Sequence, residues 1–112
     1  YQATSHWAYR DLLPLVGAEP VEARVVEDRN RITGGGVTSG IDFGLTLLAR
    51  LAGEEYAQGW QLGTEYDPQP PFQSGTPDQA DPMIMAEVMK LIEPRVENCR
   101  RALLSTPGHL DG

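Results

Sequence analysis

Residues 32–42 read Ile32-Thr33-Gly34-Gly35-Gly36-Val37-Thr38-Ser39-Gly40-Ile41-Asp42. A short apolar strand, with segments at 23–26 and 31–33, runs into three consecutive glycines, and a helix start follows at once. Glycine permits positive φ and lets another group come close to the main chain. Ser39 is placed to cap the helix, and Asp42, three residues on, falls in its electropositive first turn. A strand, a glycine turn and a capped helix make a small cavity wall lined with backbone N–H groups. Sites at strand ends in α/β proteins are built in this way.

Working outward, 21–27 is a strand candidate, Asp28-Arg29-Asn30 a turn, and 31–33 the returning strand of a hairpin. Upstream, Ala3-Thr4-Ser5 fits the end of a sheet strand, with His6 and Trp7 just beyond it. Apolar residues at 9, 12, 13 and 16 mark one helical face, with Pro14 inside it and Gly17 and Pro20 at the exit. Downstream, 39–52 is the clearest helix. Ile41, Leu45, Leu48 and Ala52 form its stripe, Leu47 and Leu51 widen it, and Gly53 ends it. So broad a face predicts a helix packed on a sheet. A second helix over 54–66 uses Tyr56, Ala57, Trp60 and Leu62, and Gly59 and Gly63 weaken it.

The stretch 67–81 holds Pro68, Pro70, Pro71, Gly75 and Pro77 and reads as an extended loop. Asp81-Pro82 reads as the N-cap and first residue of a last helix. Met83, Ile84, Val88, Leu91 and Ile92 give that helix an apolar face, with Met85 and Met89 as adaptable neighbours. Pro94 kinks or splits it, and 105–112, including His109, is a polar, solvated tail. Burial of the last helix against its own core or against a second subunit are both open.

The 112 residues make one domain or less, and a 40% hydrophobic content is enough for a core. A net charge of −7 argues against nucleic acid or an anionic membrane as partner. No apolar run approaches the roughly 20 residues that span a bilayer. The single cysteine fits a reducing, cytoplasmic setting. The chain opens at Tyr1 and enters structure immediately, as the C-terminal half of a cut protein would.

Few residues here carry chemistry by themselves. Cys99 sits mid-helix beside Arg100 and Arg101, without a glycine elbow, and reads as an ordinary half-buried thiol. His6 is either a group in the site or a histidine bonded to local backbone. Trp7 is core or interface packing, or a substrate wall. No metal is expected, because no spacing of His, Cys, Asp or Glu matches a ligand set. The three glycines lack the spacing of a dinucleotide fingerprint, and a structural turn is their plain alternative. Asp28 reads as a turn residue, and the acidic run 78–81 as a solvated loop.

Three segments together carry a resemblance: Ala3-Thr4-Ser5-His6-Trp7, Arg24-Val25-Val26-Glu27-Asp28, and Ile32 to Phe43. They look like the C-terminal half of the PfpI-like superfamily. Glu65-Tyr66-Asp67-Pro68-Gln69-Pro70-Pro71-Phe72, with Gly75 and Pro77 after it, is similar to that superfamily's bacterial isonitrile hydratases. The resemblance runs from Ala3 to about Pro77. It implies an α/β fold, the C-terminal half of a flavodoxin-like three-layer α/β/α sandwich over residues 1–72, with an extended loop and C-terminal helix over 73–112. It implies a homodimer, with the last helix as a possible contact.

It also implies a nucleophilic cysteine on an upstream elbow, before the position of Tyr1, together with an acidic partner. Both belong to the missing N-terminal half, so no catalytic nucleophile is expected in this chain, and Cys99 does not inherit the role. The implied reaction converts a small-molecule isocyanide to an N-substituted formamide without a cofactor. The implied pocket wall is Gly34, Gly35, Gly36, Val37 and Thr38, with His6 and Trp7 as neighbours. Other PfpI-like chemistries (deglycase, protease) and a sensing or dimerisation domain without hydratase activity are the alternatives. The tail after Phe72 is too short and acidic for a helix-turn-helix pair.

Overall fold

In the computed structural model, which describes residues 1–106, the chain begins as a strand of a parallel pair. Strand β1 (Gln2–Ala3) pairs with β2 (Glu19–Pro20), setting Gln2 opposite Glu19 and Ala3 opposite Pro20. The crossover between them holds a 3-10 segment, Arg10–Val16, in place of the α-turn expected from the apolar spacing. Pro14 lies inside it and has no N–H to give, which suits the short, tighter helix. Gly17 closes it at φ 81°, and Leu12 is its buried residue.

The hairpin follows as expected. β3 (Val25–Asp28) and β4 (Arg31–Gly34) run antiparallel, with Asp28 opposite Arg31 and Val25 opposite Gly34. The two-residue loop puts Arg29 at φ 56°, a region L-residues enter at a cost. Side chains of the hairpin stitch it to β1. The Gln2 amide donates to Asp28 Oδ2 (2.6 Å) and the Thr4 amide to Thr33 Oγ1 (3.0 Å). The buried Thr4 hydroxyl donates to the Ala23 carbonyl at 2.9 Å, so this polar core residue is satisfied.

Helix α1 (Gly40–Ala52) packs on the hairpin and against α2 (Glu54–Gly63). Its inward face differs from the predicted stripe. Leu45 and Leu48 are half-buried with Phe43 and Ala49, whereas Ile41, Leu51 and Ala52 are exposed. Periodicity reports that a face exists, not how much of it a neighbour covers. In α2 only Ala57 is buried, and Tyr56, Trp60 and Leu62 are exposed. Gly53 separates the two helices at φ 96°, a conformation that L side chains rarely adopt. Arg50 Nε reaches Glu27 Oε1 at 2.7 Å and ties the last turn of α1 to the hairpin.

Residues 64–81 contain no helix or strand, in line with their proline content. Helix α3 (Pro82–Ser105) then starts as its sequence predicts, with Pro82 at the first position and Asp81 Oδ1 accepting from the Met83 amide at 2.8 Å. Pro94 lies inside it without splitting it. Met85, Met89, Ile92, Val96, Cys99 and Leu103 form its half-buried seam, at alternating steps of four and three residues. Met83, Ile84 and Leu91, expected on one face with Val88 and Ile92, are exposed. The helix touches the Arg10–Val16 segment. The tail reading of 107–112, His109 included, lies outside the described residues.

Among the described residues, the buried apolar ones are Ala3, Leu12, Ala18, Val26 and Ala57. The described chain is a slab measuring 44 × 38 × 17 Å, with a radius of gyration of 16.4 Å. A compact domain of this length has about 13 Å.

Candidate functional site

Three chain segments meet around one cleft. The first is the turn after β1. The His6 carbonyl accepts the amides of Tyr9 (2.9 Å) and Arg10 (3.0 Å), so the chain reverses at His6. The Ala8 amide donates to His6 Nδ1 at 3.1 Å. The rings of Trp7 and Tyr9 flank the imidazole, with centroids 5.0 and 6.0 Å away.

The second segment is the glycine turn. None of Gly34, Gly35 or Gly36 has positive φ, contrary to the expectation; among the described residues the positive-φ glycines are Gly17 and Gly53. Close approach is what the run provides. A Cβ on Gly34 would stand 3.1 Å from Phe43 Cδ2, and one on Gly36 would stand 3.3 Å from His6 Cδ2. At Gly35 the nearest atom is 3.6 Å away, an ordinary contact. At Gly34 the missing Cβ makes room for Phe43 of α1, and at Gly36 it makes room beside His6.

Ser39 does not cap α1 as expected. A short 3-10 turn, Val37–Ser39, precedes the helix, and the Ser39 hydroxyl and amide both donate to the Gly36 carbonyl, at 2.7 and 2.9 Å. The Gly35 amide donates to the Arg24 carbonyl at 2.8 Å. The expected wall of free N–H groups is thus partly consumed by the turn's own bonds.

A lateral network holds this turn in place. Arg24 Nε donates to Asp42 Oδ2 at 2.6 Å, and Arg24 Nη2 donates to the Thr38 carbonyl at 3.0 Å. The Tyr66 hydroxyl donates to Asp42 Oδ1. Asp42 does lie in the first turn of α1, but its role is to join Arg24 on the hairpin to Tyr66 after α2. The Tyr66 bond, with Arg24 adding to it against the cost of burial, holds the Asp42 carboxyl below its ordinary range. The same bond raises the Tyr66 phenol, and Asp42 raises the Arg24 guanidinium.

The sign of each shift sets a pH window. Tyr66 is shifted up, so its donor contributes fully below about pH 10 and is lost as pH rises through its raised folded value. Asp42 is shifted down, so its contribution is present above about pH 4 and is lost as pH falls through its lowered value. Tyr66→Phe is expected to flatten the alkaline fall in melting temperature relative to wild type, measured from pH 9 to 12. Parallel curves would show that the bond contributes nothing.

The third segment is the loop at Gly75–Asp78. Together the three enclose an open cleft of about 840 Å³. His6, Trp7, Gly35, Gly36, Val37 and Thr38 line it, whereas Gly34 does not. Val37 is 98% exposed, so its side chain stands free at the mouth. Sequence reasoning missed the cleft's charges: Arg10, Asp11, Glu22, Arg24 and Asp78 also line it. Arg10 Nε is buried and has no acceptor among the described residues. Nothing periodic marks these positions. Cys99 lies on α3 and does not line the cleft. Among the described residues no group of three or more His, Cys, Asp or Glu is placed to hold a metal ion.

The chain is 53% identical over 96 residues to the isonitrile hydratase of Pseudomonas putida, an alignment covering 86% of this chain. The chain is homologous to isonitrile hydratase. It spans 42% of that relative's length. A solved structure of a ThiJ/PfpI family protein from Pseudomonas syringae superposes with a TM-score of 0.88 at 47% identity, over 95% of this chain and 43% of that one. The mixed α/β architecture therefore matches part of a ThiJ/PfpI protein. No protein-family model matches the chain.

Proposed function

We propose that this chain forms one wall of the active site of a cysteine-dependent isonitrile hydratase, whose nucleophile comes from a segment of the whole protein upstream of Tyr1. The 53% identity to isonitrile hydratase carries this reading. The cleft supports it. Two of the segments that meet there lie in stretches that resemble the PfpI-like superfamily, Gly75 and Pro77 follow the stretch similar to its isonitrile hydratases, and Gly36 and Val37 suit a small apolar substrate. In the finer architecture, residues 1–72 complete a flavodoxin-like three-layer sandwich and 73–112 form the loop and helical extension. The α3 side bearing Met83, Ile84 and Leu91 meets a second copy in a homodimer. No helix of the described residues is long and apolar enough to cross a membrane, and the proposed setting is cytoplasmic.

The chemistry balances without a cofactor. A thiolate adds to the terminal carbon of R–N≡C, and that carbon takes a proton to give a thioimidate. Water adds to the same carbon. One water proton goes to nitrogen. The C–S bond then breaks as the new hydroxyl gives up its proton to become the carbonyl. The thiolate leaves, that proton restores the acid that protonated carbon, and R–NH–CHO is released. Proton delivery needs an acid and a base within hydrogen-bond reach.

The test pairs the intact and native masses of the purified protein with formamide production from a simple aryl isocyanide. Expected are a second polypeptide or longer chain, a dimer, and turnover abolished by alkylation of an upstream cysteine but unchanged in Cys99→Ser. A lone, folded 112-residue species that never forms formamide would favour a binding or dimerisation role and overturn the reading.

A further inference from the structure

We infer that His6 meets the cleft as a neutral imidazole with its proton on Nε2, and so donates a hydrogen bond to the bound reactant instead of abstracting a proton from it. The Ala8 amide donates into His6 Nδ1 at 3.1 Å. A nitrogen that accepts must carry its lone pair, and in a neutral imidazole the proton then sits on the other nitrogen. The backbone makes this arrangement rigid. The His6 carbonyl is held by the amides of Tyr9 and Arg10, the rings of Trp7 and Tyr9 flank the imidazole, and its Cδ2 edge lies against Gly36. A ring turned half-way about its Cβ–Cγ bond would set Cδ2 against the Ala8 amide and give up that bond.

The two readings of His6 are therefore compatible. It is bonded to local backbone, and that bond decides what its other nitrogen can do. A general base needs a lone pair aimed at the proton it removes, and Nε2 has none in this tautomer. A donor instead suits an acceptor that develops during reaction. This inference rests on the hydratase reading for its acceptor, the nitrogen lone pair of the thioimidate. A hydrogen bond there polarises C=N toward water.

Two measurements test it. Nitrogen-15 labelling of histidine in the protein that carries this chain, with the His6 signals assigned by their loss in His6→Gln or, should that variant not fold, in His6→Asn, should show a protonated Nε2 and an unprotonated Nδ1. A proton on Nδ1 would overturn the inference and leave the hydratase reading intact. Steady-state kinetics supply the second arm. Glutamine places its amide nitrogen near the position of Nε2, whereas asparagine reaches only that of Nδ1. His6→Gln should keep turnover within a few-fold, and His6→Asn should lose about 10²-fold in kcat with KM nearly unchanged, because the acceptor forms only after addition. Equal losses in both variants would point to a base and overturn the inference. A wild-type protein with no turnover would sink the hydratase reading while the tautomer measurement still stood.

Discussion

On the hydratase reading, Gly36→Val in the whole protein should reduce formamide production by about tenfold or more while leaving the melting temperature close to that of wild type. Gly36 has φ −65° and ψ 174°, an extended conformation open to any residue, so valine brings no backbone strain. The added Cβ would stand 3.3 Å from His6 Cδ2, tighter than most real contacts, and the two branch methyls need further room. Room can be found only by moving the imidazole or by filling the cleft, and either displaces the reacting groups. Misplacement by about 1 Å costs on the order of 10²-fold when geometry is what accelerates the reaction. Gly35→Val is the internal comparison, since its Cβ meets nothing closer than 3.6 Å. Equal activity in Gly36→Val and wild type would show that the His6–Gly36 contact has no bearing on catalysis. A comparable loss of stability would show that the contact serves folding instead.

The second large effect is on stability. Leu12→Ala should lower the unfolding free energy by about 2–5 kcal/mol, the range for removing a buried leucine side chain. Leu12 is 4% exposed and is the largest of the buried apolar residues, the others being alanines and Val26. It lies in the 3-10 segment between β1 and β2, beside the helix that carries the C-terminal end of the chain. Small domains hold only about 5–15 kcal/mol in all, so this one truncation removes a large part. Chemical denaturation read by circular dichroism measures it. A cost under about 1 kcal/mol would mean that the site collapses around the gap.

Much of the local structure was legible because it is written in short range. Asp28-Arg29-Asn30 marks the hairpin turn, Gly53 the end of α1, and Asp81-Pro82 the start of α3, and each is decided within a few residues. The expectation that His6 and Trp7 stand beside 35–38 came through resemblance, and the structure brings these residues to one cleft. Gly34 does not line that cleft: three adjacent glycines look alike in sequence, and only Phe43 separates the surroundings of the first from those of the third. The Arg24–Asp42–Tyr66 network was not legible. Its members stand 18 and 24 residues apart along the chain, and no spacing rule joins a hairpin, a helix start and a loop. The outward turn of Ile41 and Leu51 was missed for a different reason: a hydrophobic pattern records a face that is covered somewhere, and the cover need not be within these 112 residues.

The slab is only 17 Å thick, and Leu51, Leu62, Phe72, Met83 and Leu91 all stand at its surface. Left uncovered, so many large apolar side chains would mark the chain to the chaperones and proteases of a cell as a folding intermediate. Covering those faces would therefore govern abundance. Substitutions far from the cleft, such as a charge at Leu62 or Phe72, would act on how long the protein survives rather than on how fast it turns over.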